Sequence, residues 1–285
     1  MENLANIGTV KDLCERYGFS FSKSLGQNFL VNPSVCPRIA EMGGAEEEAG
    51  VIEIGPGFGV LTVELSRRAK KVVTIEIDEK LLPVLRETLA DCPNVTVVHS
   101  DVLKLDLPKL IAEEFAGMPV TICANLPYYV TSPILMSLLE QRLPVRSITV
   151  MVQKEAADRL CARMGTRACG AVTAAVRYYS EPEVLFPVSR GSFMPPPNVD
   201  SCVIRLNIRQ ELPDGVADEK FLFRLIRAAF SQRRKTLANP VSSGLALPKG
   251  RVLEALAECG LKPTARAEEL TMEQFISLSN RLADR

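Results

Sequence analysis

The feature that most constrains this chain is a regular alternation of strand-like and helix-like segments beginning at residue 50. Val51-Ile52-Glu53-Ile54 is a short apolar run closed by a glycine turn, Gly55-Pro56-Gly57-Phe58-Gly59, after which helical spacing runs through Leu61, Leu65 and Arg68. Residues 71–77 form a second strand, and Asp78 stands at the N-cap of a helix carrying Leu81, Leu82, Leu85 and Leu89. Further strands follow at 95–98, 119–123 and 147–152. Strands alternating with helices fold as a parallel sheet wound on both faces. The runs 181–188 and 201–208 have no helix between them, which predicts an antiparallel edge pair. The expected class is therefore α/β: a seven-stranded, mostly parallel, Rossmann-like sheet with an antiparallel edge.

A polar break at 210–215, Gln-Glu-Leu-Pro-Asp-Gly, ends this pattern, and the chain beyond it reads as helix throughout. The expected domains are 1–209, carrying the sheet, and a small all-helical 210–285. Helices are expected from Asp218 to Phe230, from Arg251 to Cys259, and after Glu268-Glu269. Before the first strand, residues 1–21 suggest a short helix with Leu13 and Cys14 as contacts. The polar stretch Lys23-Ser24-Leu25-Gly26-Gln27-Asn28-Phe29-Leu30 reads as a loop whose amides could fold over a ligand.

Several chemistries are disfavoured. The eight cysteines include no C-x-x-C pair, and His99 is the only histidine, so a structural zinc site and a disulfide framework are not expected, nor any other bound metal. Reduced, mostly buried thiols fit a cytoplasmic protein. A Ser-His-Asp triad would have to use His99, which has no nucleophile signature to serve. Neither a signal peptide nor a membrane-spanning run is apparent. The 34 basic and 34 acidic side chains balance, so any nucleic-acid footprint must be a local patch.

The strand ends carry the chemistry. Glycines at a strand-to-helix turn let a ligand approach the backbone, and the helix start offers free N–H groups. A dinucleotide site wants G-x-G-x-x-G, but the last required glycine position holds Val60. Glu53, two residues before Gly55, favours a cationic ligand end over a pyrophosphate. Glu76 ends the second strand 21 residues after Gly55, the usual place for a carboxylate gripping ribose hydroxyls. Asp101 follows the third strand and can accept from an adenine amino group. Each of these alone fits an ordinary strand-end carboxylate or helix cap. Together they describe a ribose, an adenine and an amino-acid tail bearing ammonium and sulfonium charges, which is S-adenosylmethionine.

Asn125-Leu126-Pro127-Tyr128-Tyr129 closes the fourth strand. Taken alone it fits an Asx-Pro turn whose tyrosines cap the core. Beside a methyl donor it reads as a site for an aromatic amine, whose lone pair is delocalised into the ring. The Asn125 side-chain oxygen and the Leu126 carbonyl would accept from the amine N–H groups and favour a pyramidal nitrogen. Pro127 would fix the turn and Tyr128 would stack on the base. Such preorganised acceptors and in-line alignment catalyse without a strong base.

These strings resemble the KsgA (RsmA) family, the small-subunit (16S) ribosomal RNA adenine N6,N6-dimethyltransferases. The likeness runs from Ser24 to Leu30, through Glu53–Gly59, Glu76-Ile77-Asp78, Asp101-Val102 and Asn125–Tyr129. It continues through Val152-Gln153-Lys154-Glu155, Phe193–Ser201 and Phe230-Ser231-Gln232-Arg233-Arg234-Lys235-Thr236-Leu237. The resemblance implies the class I, S-adenosylmethionine-dependent methyltransferase fold. It implies a cofactor site of Gln27, Asn28, Leu30, Gly55, Gly57, Glu76, Ile77, Asp101, Val102 and Asn125. Asn125, Leu126, Pro127, Tyr128 and Phe193 are implied at the adenine, which is expected to be flipped out of its stack. The implied reaction dimethylates two adjacent adenosines in a hairpin loop near the rRNA 3′ end, linked to assembly of the 30S subunit.

From Lys220 to Arg251 the chain has eight basic residues and no acidic one: Lys220, Arg224, Arg227, Arg233, Arg234, Lys235, Lys249 and Arg251. Such a run is often only a solvated face, but in a chain of zero net charge it marks an expected phosphate-binding surface. Lys154, Arg159, Arg163 and Arg167 would extend it. The expected partner is small-subunit rRNA within the 30S particle or its precursor, bound by a monomer. Two alternatives stay open from sequence: a large-subunit rRNA adenine dimethylase of the erythromycin-resistance type, and an assembly checkpoint factor acting mainly by binding.

Overall fold

A computed structural model of the chain describes residues 4–19, 28–126, 130–232 and 234–283. The strands are β1 (Phe29–Leu30), β2 (Gly50–Ile54), β3 (Lys71–Glu76), β4 (Val95–His99), β5 (Val120–Asn125), β6 (Ser147–Gln153), β7 (Ser180–Val188), β8 (Phe193–Met194) and β9 (Ser201–Ile208). The helices up to β7 are α1 (Ile7–Arg16), α2 (Val35–Met42), α3 (Val60–Ser66), α4 (Leu82–Thr88), α5 (Leu107–Phe115), α6 (Thr131–Glu140), α7 (Lys154–Leu160) and α8 (Ala171–Tyr179). Four more close the chain: α9 (Glu219–Phe230), α10 (Ala238–Leu245), α11 (Lys249–Glu258) and α12 (Met272–Ala283).

Seven strands form one sheet in the order β4-β3-β2-β5-β6-β9-β7. The first five are mutually parallel, and β9 runs antiparallel to β6 with Ser147 opposite Asn207 and Gln153 opposite Ser201. The order reverses between β2 and β5, so the ends of these two strands flank a topological switch point, where open α/β sheets bind ligands. All five residues of β2 are buried, as expected of a central parallel strand covered on both faces. β9 and β7 form the sheet's edge, as anticipated, and β9 supplies the antiparallel pairing. A second, two-stranded sheet pairs β1 with β8 antiparallel, Phe29 opposite Met194 and Leu30 opposite Phe193. Strands this short carry no periodic signal in the sequence.

Contacts divide the chain into two compact units. One comprises the residues up to Ala157 together with Pro182–Ile208; the other comprises Asp158–Glu181 and Arg209 onward. The sequence boundary at 209/210 is therefore incomplete, because residues 158–181 group with the C-terminal helices. The reason lies in α8. Tyr178 and Tyr179 are buried and donate their hydroxyls to the Glu219 carboxylate at 3.1 and 2.8 Å, while the Tyr179 ring stacks on Phe223 with centroids 5.5 Å apart. Within the same unit, α9 buries Leu222, Phe223, Leu225 and Ile226 along one stripe. Its N-cap is Asp218, whose side chain accepts from the Phe221 N–H at 3.0 Å. α10 lies close to α9, since a Cβ on Gly244 would come within 2.6 Å of the Ala228 Cβ. The sequence ANPVSSGL has weak helix propensity, and α10 forms because Pro240, Val241 and Leu245 are buried.

All eight cysteines are free, and Cys36, Cys92, Cys123, Cys169 and Cys202 are buried. Among the described residues no helix is long and apolar enough to cross a membrane.

Candidate functional site

A cavity of about 310 Å³ opens at the carboxyl ends of β2, β3, β4 and β5. That volume lies at the lower end of the range for small-molecule sites. Its floor is the glycine turn. Gly55, Gly57 and Gly59 all have positive φ, at 71°, 59° and 84°. Gly55 needs that conformation, and a Cβ there would meet nothing within 4 Å, so the backbone is bare toward a ligand. Gly57 is constrained from behind as well, because a Cβ would press to 3.1 Å of the Phe29 ring. Phe29 stacks flat on Phe58 at 4.2 Å and 12°, and Phe19 meets both rings edge-on. This buried aromatic cluster joins α1, β1 and the glycine turn. Sequence inspection did not find it; F-x-x-x-x-x-x-x-x-x-F spacing has no local signature.

Around the floor, the structure brings together most of the expected residues. Asn28, Leu30, Gly55, Gly57, Glu76, Ile77, Asp101, Val102, Asn125, Leu126 and Phe193 all line the cavity. Glu76 is buried, and its Oε1 accepts the Asp78 N–H at 2.8 Å. Burial pushes its carboxyl pKa up, and backbone N–H groups of the glycine turn and of Ile77 and Asp78 pull the other way. Asp101 accepts the Leu103 N–H at 3.0 Å through Oδ1. Its other oxygen lies 3.8 Å from Lys104. Ile77 and Leu103 line the cavity although 60% and 48% exposed, which leaves two apolar side chains standing at its mouth. Leu103 was not anticipated. His99 places Nε2 3.3 Å from the Ile77 carbonyl oxygen.

Asn125 ends β5 opposite Met151 of β6, and Leu126 behind it is buried. Phe193 reaches the same cavity from β8, held there by the β1 pairing and by the Val31 N–H donating to the Ser192 carbonyl at 2.8 Å. Gln27 and the rest of the Lys23–Gly26 string lie outside the described residues, as do Pro127, Tyr128 and Tyr129.

Glu53, expected to favour a cationic ligand end, also lines this cavity. Its side chain is 1% exposed, and its Oε2 accepts from the Thr62 hydroxyl at 2.5 Å. Burial pushes the carboxyl up to about 7. Glu53, Glu76, Asp78 and Asp101 give the described lining four carboxyl groups and no lysine, arginine or histidine. Such a wall repels phosphate and favours a ligand with net positive charge. The donor set therefore fits a sulfonium- and ammonium-bearing nucleoside and does not fit a dinucleotide.

The basic residues of the second unit are differently arranged. Lys220, Arg224 and Arg227 follow i, i+4, i+7 on the exposed face of α9, and Arg234, Lys235 and Lys249 are exposed beyond it. Arg224 lies over the Phe221 ring at 5.8 Å. Arg251 is only half-exposed, donating to the Arg281 carbonyl and lying 4.0 Å from Glu258. Arg233 lies outside the described residues.

Comparison with known proteins gives a consistent picture. The family model described as ribosomal RNA adenine dimethylase matches residues 18–284. A ribosomal RNA small subunit methyltransferase A of Geobacillus sp. (strain WCH70) is 48% identical across 99% of this chain and 98% of its own length. The protein of the same name from Geobacillus thermodenitrificans is 51% identical over 99% and 97%. Among solved structures, a dimethyladenosine transferase from Plasmodium falciparum superimposes with a TM-score of 0.73 at 27% identity, covering 88% of this chain and 95% of that one. The 23S rRNA methyltransferase ErmE gives 0.68 at 30% identity, covering 90% and 99%.

Proposed function

The chain belongs to the ribosomal RNA adenine dimethylase family, and we propose that it dimethylates N6 of two adjacent adenosines in the 3′-terminal hairpin loop of small-subunit (16S) rRNA, with S-adenosylmethionine as methyl donor. The observation that carries this reading is one acidic cavity lined by Glu76, Asp101 and Asn125, each at or just beyond the end of a different strand. The small-subunit enzymes match at about 50% identity over their whole lengths, against 30% for the large-subunit enzyme of the erythromycin-resistance type. That difference favours the small-subunit substrate.

When bound, S-adenosylmethionine supplies a methyl group on a positively charged sulfur, an electrophile that needs no further activation. The residues of this chain have the remaining tasks. Glu76, already held by backbone N–H groups, would accept from the ribose hydroxyls. Asp101 would accept from the adenine amino group of the donor, with Ile77 and Val102 against its ring. Gly55 and Gly57 would admit the amino-acid tail to the backbone beside Asn28 and Leu30, and Gln27 is assigned to the same ligand by the family motif alone. The Asn125 side-chain oxygen and the Leu126 carbonyl would accept from the target N6–H groups and turn the nitrogen lone pair toward the methyl carbon. Phe193, and Tyr128 by its place in the family motif, would hold the flipped base. As N6 acquires the methyl group it becomes cationic and loses a proton to solvent.

The exposed cations Lys220, Arg224, Arg227, Arg234, Lys235 and Lys249, with Arg233, are the proposed phosphate contacts. Acting on rRNA of a 30S particle or its precursor would make this a cytoplasmic protein of ribosome biogenesis. Incubation of wild-type protein with unmethylated small subunits and labelled donor, followed by mapping of modified nucleotides, tests the proposal. Dimethylation of two adjacent adenosines in the 3′-terminal loop is expected. Label in large-subunit RNA alone would overturn the substrate, and binding without transfer would leave the assembly-factor reading in its place.

A further inference from the structure

The cavity contains a carboxyl group that the transfer step does not use. Glu53 is the penultimate residue of β2, opposite Thr74 of β3 and Cys123 of β5. The groups that face it are the Cys36 thiol of α2, the Thr62 hydroxyl of α3, the Cys123 thiol of β5, and the Thr74 hydroxyl and Glu76 carboxyl of β3. Among the described residues that line the cavity with it, none is cationic. The two thiols are buried and their own pKa values are pushed up, so they stay neutral, and Glu76 only adds negative charge.

A buried carboxylate ordinarily has a cation or several N–H donors as partners. Glu76 has backbone donors from the turn. Glu53 has the hydroxyls of Thr62 and Thr74, and a hydroxyl donates to a carboxylate and equally accepts from a carboxylic acid, so both protonation states are supported. The partner missing from the ionised form is a positive charge. The cavity beside Glu53 is where a positively charged ligand would arrive.

We propose that Glu53 is a proton-linked acceptor for the cationic end of the methyl donor: protonated in much of the free protein, and ionised once the donor's positive charge enters the cavity. The inference rests on the methyl-donor reading above. The balance is simple. The O–H bond of the carboxylic acid breaks, its proton goes to the buffer, and the electron pair remains as the carboxylate that faces the cation. No co-reactant is needed. The sign follows from linkage: a carboxyl raised to about 7 when the cavity is free, and lower when the donor is bound, makes donor affinity rise with pH up to that value.

The test is calorimetric titration of S-adenosylmethionine into the full-length protein between pH 5.5 and 7, where the donor's own ammonium stays protonated. Each pH is measured in two buffers of different ionisation enthalpy. Wild type is expected to release about half a proton per donor bound at pH 7, and to bind about fivefold more tightly at pH 7 than at pH 6. Glu53→Gln, which keeps a hydrogen bond to Thr62, is expected to release none and to bind with flat pH dependence. Glu76→Gln is expected to bind more weakly yet still release the proton. Thermal melting of each variant confirms that it is folded, and the wild-type proton count stands as a test without any variant. A pH-independent affinity in wild type, or the same proton release from Glu53→Gln, overturns the proposal. Failure of wild type to bind the donor at all would instead overturn the methyl-donor reading.

Discussion

The cavity of the sheet unit and the basic face of the helical unit handle charge in opposite ways. In the cavity, Glu53 and Glu76 are almost wholly out of water, and both carboxyl pKa values are pushed up by burial. On α9, Lys220, Arg224 and Arg227 are exposed to solvent. A buried charge is costly to hold and discriminates sharply, because its partner must bring the right sign to the right place. A solvated charge costs little and discriminates little; it works in numbers, and salt screens it. The first arrangement suits a small molecule that must be told apart from similar nucleotides, the second a polyanion recognised by its backbone. Substitutions in one region should therefore leave the signature of the other unchanged.

Asn125→Ala is expected to have the largest effect. Removing one preorganised acceptor from the reacting nitrogen should lower the single-turnover methylation rate roughly a hundredfold to a thousandfold, by analogy with loss of a donor from an oxyanion hole. Donor affinity should fall far less than the rate, since Asn125 also lines the donor's cavity, and the salt dependence of RNA binding should hardly move. A mutant that methylates at the wild-type rate would remove Asn125 from the chemistry while leaving the cavity assignment intact.

Glu76→Ala comes next. Losing a charged hydrogen-bond acceptor costs about 1.5–3 kcal/mol, so donor affinity should fall by roughly ten- to hundredfold in calorimetry. RNA affinity measured by filter binding should be unchanged. Equal losses in both assays would mean that Glu76 supports the fold at large, and the contrast between the two regions would collapse at this residue.

The sequence revealed the first of these regions better than the second because strand ends are punctuated locally. A glycine turn after β2, a carboxylate at the end of β3 and another after β4 recur at intervals that chain connectivity imposes, and all three line the cavity. What escaped notice depends on contacts between distant residues. β1 and β8 are two residues each and exist only as partners, and Phe29 reaches Phe58 across 29 positions. Residues 158–181 seemed to belong to the sheet unit because they precede β7, but the hydroxyls of Tyr178 and Tyr179 are committed to Glu219. The burial of Glu53 is likewise a property of covered faces, which a run of four residues does not display.

Charge reversal at two exposed positions, Arg227→Glu with Arg234→Glu, probes the other region. If each contacts one phosphate, the slope of log affinity against log salt should become shallower by about 1.4–1.8. Donor affinity in the absence of RNA should be unaltered. An unchanged slope would take both residues out of the interface and return the basic run to a solvated surface.

Arg251→Ala is expected to have the smallest effect, and it tests whether exposure rather than sequence position defines the basic face. Arg251 belongs to the same acid-free stretch as the others, so a reading by charge run alone gives it equal weight. Its guanidinium, however, donates to the Arg281 carbonyl and approaches Glu258. A cation already neutralised by a carboxylate contributes little counterion release, and breaking a partly exposed pair costs at most about 1 kcal/mol. The expected outcome is a salt slope within error of wild type and a slightly lower melting temperature. A slope shallower by a full phosphate contact would show that Arg251 exchanges its internal partners for RNA, and the distinction drawn between committed and free cations on this face would not hold.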